Sequence, residues 1–174
     1  MKTIYVNWYG PFTKEDIDAA YDSLNKSKKS LLRYGLYAWT GKIKNQRGEQ
    51  CLQYIGITSW SYKGRFGDKT HKHWSITKDK RVWLGKIDCN KREYIDEMNE
   101  AEHILVSCCQ SPLNDTKYNP PAFDCAVISR FFKKDMTPYI RIGSIIREIP
   151  EVVIWDSTSE EFRYTEKLTI YTQK

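Results

Sequence analysis

Runs of apolar and aromatic residues, broken by polar turns, set out the elements of this chain. Residues 3–12, opening Thr3-Ile4-Tyr5-Val6-Asn7-Trp8-Tyr9, read as a strand that Gly10-Pro11 stops. Thr13 is a fair N-cap for a helix over 14–24, with Ile17, Ala20, Tyr21 and Leu24 on one face. Gly35-Leu36-Tyr37 and Tyr54-Ile55-Gly56, joined by the polar Gly41–Gly48 turn, predict a β-hairpin over about 34–57. A short helix from Ser59 or Ser61 is expected to carry Arg65. Residues 67–80 read as polar and irregular, and Arg81–Ile87 as a third strand. Asn90-Lys91-Arg92-Glu93 resembles a capping box that opens a helix over 91–109, ended by Ser111–Asp115. Past Pro120-Pro121 come strands at 127–129, 139–142, 152–155 and 168–171, with a turn at 156–159.

The helix over 91–109 has an unusual apolar face. Ile95, Met98, Glu102, Leu105 and Cys109 follow the 3-4-3-4 spacing of one stripe, so Glu102 falls in its middle. A buried, unpaired carboxylate is costly. Glu102 therefore needs a partner: an arginine, a polar network or a metal. The hairpin is the second unusual feature. If Tyr37 pairs with Tyr54, the turn centres on Asn45-Gln46 and both phenols share one face. Two adjacent tyrosines suit ordinary sheet packing, and they equally suit holding and activating a water.

Composition narrows the class. A chain of 174 residues, 40% hydrophobic and 14% aromatic, suits one globular domain, or one domain with an accessory lobe. No apolar run is long enough to span a membrane, and the first residues lack a secretory h-region, so a cytoplasmic protein is expected. Cys51, Cys89, Cys108, Cys109 and Cys125 are odd in number and include no Cys-x-x-Cys. Free thiols are expected, not a disulfide framework or zinc ribbon.

Net charge is +6, but its location matters more. Residues 57–92 carry ten Lys/Arg against three Asp/Glu, whereas residues 115–174 balance at nine against nine. Such a block is either a solvated basic face or the seat of a polyanion. Lys63, Lys69, Lys72, His73, Lys78 and Arg81 are its candidate DNA contacts. His71 and His73 lie inside it as loop residues or a surface metal pair. Lys26, Lys28, Lys29 and Arg33 before the hairpin are further candidate backbone contacts. Arg130, Lys133, Lys134, Arg141 and Arg147 would reach phosphates or guanines, unless the C-terminal strands only extend the sheet.

Taken in order, Gly35/Tyr37, Tyr54/Gly56, Arg65, Glu102 and Asn114 resemble the motif set of the GIY-YIG nuclease family. The resemblance covers roughly residues 34–115, about half the chain. It implies a small α+β core, a mixed sheet around the hairpin flanked by helices, over 34–115. An N-terminal strand-helix extension (1–33) and a C-terminal β-rich extension (116–174) would adjoin it, packed separately or on the core. It implies Mg²⁺ or Mn²⁺ on Glu102, with waters and phosphate oxygens completing the shell. Arg65 would clamp a non-bridging oxygen. Tyr37 would act as general base, and Tyr54 would orient the water or the phosphate. Asn114 would tether the end of the metal helix or assist the site. Two departures stand out. Where relatives often carry a histidine or tyrosine one turn after the arginine, this chain has Lys69, with His71 and His73 just beyond. Of these three, His71 is the one we favour as Tyr37's helper. After Tyr54-Ile55-Gly56, where some relatives place a lysine, stands Ile57, so Lys63 would have to substitute.

The expectation is a divalent-metal-dependent endonuclease that hydrolyses double-stranded DNA, in restriction, a mobile element or repair. A homodimer would suit cutting both strands. The alternatives are a structure-specific repair nuclease and a non-catalytic nucleic-acid-binding module on the same scaffold.

Overall fold

The computed structural model describes residues 1–23, 32–89, 92–114, 119–140 and 145–165. Among them are seven strands: β1 (Lys2–Phe12), β2 (Arg33–Ile43), β3 (Cys51–Ser61), β4 (Ile76–Ile87), β5 (Cys125–Phe132), β6 (Val152–Asp156) and β7 (Glu161–Thr165). Three helices are α1 (Lys14–Ser23), α2 (Tyr62–Gly67) and α3 (Tyr94–Cys109), and a short 3-10 turn spans Lys72–Ser75. The strands form one mixed α+β sheet in the order β3-β2-β4-β1-β5-β6-β7. Every neighbouring pair is antiparallel except β1 and β5, which run parallel. The three sequence segments therefore share a sheet, with β1 from the first and β5–β7 from the last.

Strand alternation splits the core across the two faces of the hairpin. Leu36, Ala38 and Ile55 join Ile4, Val6 and Trp8 of β1 and Met98, Ala101, Ile104 and Leu105 of α3 in one cluster. Tyr37, Trp39, Val82 and Leu84 point the other way, onto Ile17 of α1 and Tyr62 and Phe66 of α2. Trp8, Trp39, Tyr37 and Tyr62 are fully buried. Burial of such side chains contributes about 1.5–3 kcal/mol each.

Several sequence expectations need correction. Tyr37 pairs with Gly56, not Tyr54, which lies opposite Trp39. The register then shifts so that Thr40 faces Leu52, leaving Gln53 as the extra residue of a bulge. Its buried amide holds the bulge by donating to Gly41 O at 2.9 Å and Gln46 Oε1 at 2.8 Å. The tight turn closes from Gln46 N–H to Ile43 O, with Asn45 left-handed at φ 67°. β4 begins at Ile76, five residues earlier than expected, because the long end of β2 pairs with it as far as Ile43↔Ile76.

In α3, Ile95 is 60% exposed, and the buried stripe runs through Met98, Ala101, Glu102 and Leu105. The helix starts at Tyr94; Glu93 is its N-cap and makes no side-chain capping bond. Asn90 and Lys91 of the expected capping box lie outside the described residues, as do Leu24, Lys26, Lys28, Lys29, Asp115, Arg141 and the strand expected at 168–171. Around Tyr139 there is a single bridge, Phe132↔Pro138, and no strand among the described residues. β7 was not anticipated. All five cysteines are free. No helix among the described residues is long and apolar enough to cross a membrane.

Candidate active site

Tyr37 lies near the middle of β2, and its ring is walled by side chains from three directions. Tyr54 stacks beside it at 6.0 Å between centroids, while Phe66 at 5.2 Å and Tyr62 at 6.4 Å meet it edge-on. The diagonal placement of the two tyrosines depends on Gly56. A Cβ there would stand 2.6 Å from the Tyr54 ring and 2.8 Å from Tyr37 Oη. The phenols share one face because Tyr54 lies two residues from Gly56, the partner of Tyr37, and glycine leaves room for both rings over the strand. Tyr37 is fully buried, and Tyr54 half-buried.

α2 delivers Arg65. Ser61 caps the helix by accepting the Gly64 N–H, and Tyr62 and Phe66, one turn apart, bury its inner face. Arg65 is thereby set beside Tyr37 and donates from Nε to Tyr37 Oη at 3.1 Å. Its outer end lies 3.8 Å from Asp68. Asp68 in turn accepts from the Thr70 N–H and hydroxyl, which shapes the turn into the next segment.

That turn brings His71 to Tyr37, with His71 Nε2 2.8 Å from Tyr37 Oη. His71 is also the cap of the 3-10 turn, its Nδ1 accepting the His73 N–H at 3.0 Å. His73 lies behind it, stacked flat on Trp39 (4.6 Å, 9° between planes), with Nδ1 2.7 Å from His71 Nδ1. Burial holds both imidazoles neutral. His71 is pushed down to about 4, with Arg65 adding to the effect and Asp68 opposing it. His73 is pushed down to about 3 by burial and then by its cationic neighbours. Burial also drives the Tyr37 phenol well above the usual tyrosine range, against the pull of Arg65.

Glu102 approaches along the outer edge of β3. α3 and the turn after it cover that edge group by group. Leu113 N–H donates to Gln53 O (2.9 Å), and Ile55 N–H donates to Asn114 Oδ1 (2.9 Å). Asn114 Nδ2 returns a bond to Ile55 O (2.8 Å), and the Ile57 N–H faces the Glu102 carboxylate. Ser111 Oγ also donates to Asn114 Oδ1. Glu102 is 6% exposed, and burial pushes its carboxyl up to about 7 despite Ile57 N–H and Arg65. Its charge is felt at Tyr37 as well as at Arg65.

The structure thus gathers Tyr54, Arg65 and His71 around Tyr37, with Glu102 within electrostatic reach. Asn114 bonds backbone and Ser111, which makes it a tether for the β3 edge. Lys69 is exposed, and the group bonded to Tyr37 is His71. His73 requires correction: with no exposed surface it cannot touch a polyanion, and it supports His71 instead. Lys63 is drawn to Asp22 at 2.5 Å, and Lys86 is turned onto the Tyr34 carbonyl at 2.7 Å, where burial lowers it to about 8. Lys69, Lys72, Lys78 and Arg81 remain exposed around the loop and β4. Sequence reasoning missed Trp39 and Phe66, the walls of the histidine pair, and Asp68. The Asp68-x-Thr70-His71-x-His73 spacing, an Asx turn followed by an imidazole cap, was the available signal.

Among the described residues no three His, Cys, Asp or Glu side chains gather into a metal-binding group. A cation here would rest on Glu102 alone, which suits Mg²⁺, an ion that keeps waters and takes phosphate oxygens. The buried carboxyl, faced by one backbone N–H among the described residues, fits that use. No family model, no curated protein and no solved structure matches this chain.

Proposed function

We propose that this chain is a divalent-metal-dependent endonuclease of GIY-YIG type that hydrolyses phosphodiester bonds in double-stranded DNA. One observation carries the reading. Tyr37 and Tyr54 from the hairpin, Arg65 from α2 and Glu102 from α3 converge from three elements, and the carboxylate among them is buried with one backbone N–H facing it among the described residues. The Arg65 guanidinium, held by Nε on Tyr37, supplies the fork for a non-bridging phosphate oxygen. Tyr54, half-buried, orients the attacking water against the phosphate. Tyr37 behind it takes the water's proton. Glu102 holds the cation, and when bound the cation offsets charge on the phosphate and the leaving oxygen. Lys69, Lys72, Lys78 and Arg81 line the approach of a polyanion.

One observation favours the rival reading, a nucleic-acid-binding module without chemistry. Tyr37 has no exposed surface, so Tyr54 must move aside before Tyr37 meets a water. The test separates the two. Wild type, Glu102→Ala and Arg65→Ala are incubated with plasmid DNA and Mg²⁺ or Mn²⁺. The nuclease reading expects metal-dependent cleavage that is lost in Glu102→Ala and falls about 100- to 1,000-fold in Arg65→Ala. Salt-dependent DNA binding without cleavage by any of the three would establish the binding module.

A further inference from the structure

We infer that His71 is a fixed hydrogen-bond donor to Tyr37 and not the acceptor of its proton, and that His73 is the positioning residue that fixes this tautomer. A backbone N–H only donates, and the His73 N–H points at His71 Nδ1 at 3.0 Å. That nitrogen therefore carries its lone pair, and in a neutral imidazole the proton sits on Nε2. Nε2 lies 2.8 Å from Tyr37 Oη, so it donates there. Arg65 Nε is likewise only a donor, at 3.1 Å from the same oxygen. Tyr37 Oη thus accepts two N–H bonds, one from a cation.

The assignment of His71 carries over to His73. Its Nδ1 is 2.7 Å from His71 Nδ1, so one of the two must be protonated. With His71 Nδ1 already accepting, the proton belongs to His73 Nδ1. His73 Nε2 is then a bare lone pair, and it is the atom the structure leaves buried without a partner. An orphaned acceptor is tolerated more readily than an orphaned N–H donor, so the burial pattern agrees. Protonating His71 would turn Nδ1–H against two donors and break the cap of the 3-10 turn. The groups facing the pair add to this. Arg65, Lys80 and Lys14 disfavour further positive charge, Asp68 alone favours it, and burial outweighs Asp68.

The consequence rests on the nuclease reading. Two N–H donors converging on one oxygen stabilise that oxygen as an anion, in the manner of an oxyanion hole. Burial outweighs the two donors in the resting site and keeps the phenol protonated, so Tyr37 acts as a base only as the phenolate it forms once Tyr54 moves aside and the proton leaves to bulk water. The phenolate takes a proton from the attacking water as that oxygen bonds to phosphorus and the bond to the leaving sugar oxygen breaks.

The test reads the tautomer directly. Long-range ¹H–¹⁵N correlation on the full chain labelled at its three histidines, assigned with His103→Gln, is expected to show His71 protonated at Nε2 only and His73 at Nδ1 only. Both rings should stay neutral from pH 7.5 to pH 5.5. An Nδ1-protonated or cationic His71 at pH 7 overturns the inference whether or not the protein cuts DNA. Cleavage supplies a second readout. His71→Gln keeps a donor but is no base, and should retain activity within about tenfold of wild type, whereas His71→Leu should fall about 100-fold or more. Equal loss in both, with both folded, overturns the donor role. Absence of cleavage in the wild type would sink the nuclease reading and leave the tautomer assignment to the spectrum.

Discussion

Tyr37 and Glu102 are both buried polar groups in one candidate site, yet the protein treats them in opposite ways. Tyr37 Oη has two donors of its own, His71 and Arg65, and those donors are themselves held by His73 and Asp68. Among the described residues Glu102 has one backbone N–H facing it. A fold normally satisfies the polar groups it buries, because an unmet one costs about 1–3 kcal/mol, and more when charged. The phenol side is therefore finished by folding, and the carboxylate side is left for something that arrives later. The contrast has a thermodynamic signature. Neutral His71 and His73 lie below their ordinary range, while Glu102 lies above its own, so the two halves respond to acid with opposite sign.

The largest expected effect exploits that sign. A histidine whose folded pKa is depressed binds fewer protons folded than unfolded, so its contribution is lost as pH falls through 6.5 towards its folded value. Between pH 7.5 and pH 5 each of the pair should cost about 2 kcal/mol. Glu102 runs the other way. Its carboxyl is raised from 4.5 to about 7, so acid relieves a penalty across that window. In metal-free Glu102→Gln the relief is gone, and urea melts should show the full loss of about 4 kcal/mol between the two pH values. Wild type should lose about half as much. Equal losses would mean that Glu102 is not protonated in the folded protein, and the comparison would fail.

Next in size is the penalty itself. At pH 7.5, Glu102→Gln should stabilise the metal-free protein by about 3 kcal/mol, since Gln keeps an acceptor for the Ile57 N–H without a charge. Mg²⁺ should raise the melting temperature of wild type and leave Glu102→Gln unchanged. A destabilised Glu102→Gln would show that the carboxylate already has the partners it needs, making it a structural group like Tyr37.

How much of this was legible before folding depended on range. The 3-4 spacing of the helix put Glu102 on the apolar face by counting alone, and the structure buries it there. The two apolar runs gave the hairpin, since its strands are neighbours in sequence. The register was not legible, because its two-residue shift has two sources: the turn centres on Gln46, and the bulge adds Gln53, whose amide bonds Gly41 and Gln46. Ile95 was misplaced because apolar spacing does not say where a helix meets the sheet. The pairing of β1 with β5 joins residues more than a hundred apart and left no local trace. His73 read as a basic-loop contact because the charge around it is real. Only the stacking on Trp39 shows that the ring faces inward.

Asn114 offers the smallest effect and the sharpest test of why the two halves differ. β3 is an edge strand, and its outward groups at Gln53, Ile55 and Ile57 are met by Leu113, Asn114 and Glu102 in turn. The Asn114 amide stands in for a missing strand at Ile55, one step from the N–H that holds Glu102. Asn114→Ala removes both bonds and should cost about 2 kcal/mol in urea melts. Hydrogen exchange should quicken at the Ile55 and Ile57 amides and stay slow at His73. Asn114→Asp keeps the acceptor for Ile55 N–H but sets a carboxylate against Ile55 O, so it should be no more stable than the alanine variant. If exchange quickened equally at His73, the carboxylate edge and the phenol–histidine cluster would open as one unit. Exchange confined to β3 would mean that the edge yields alone, leaving Arg65, Tyr37 and His71 in place while Glu102 is free to adjust to a ligand.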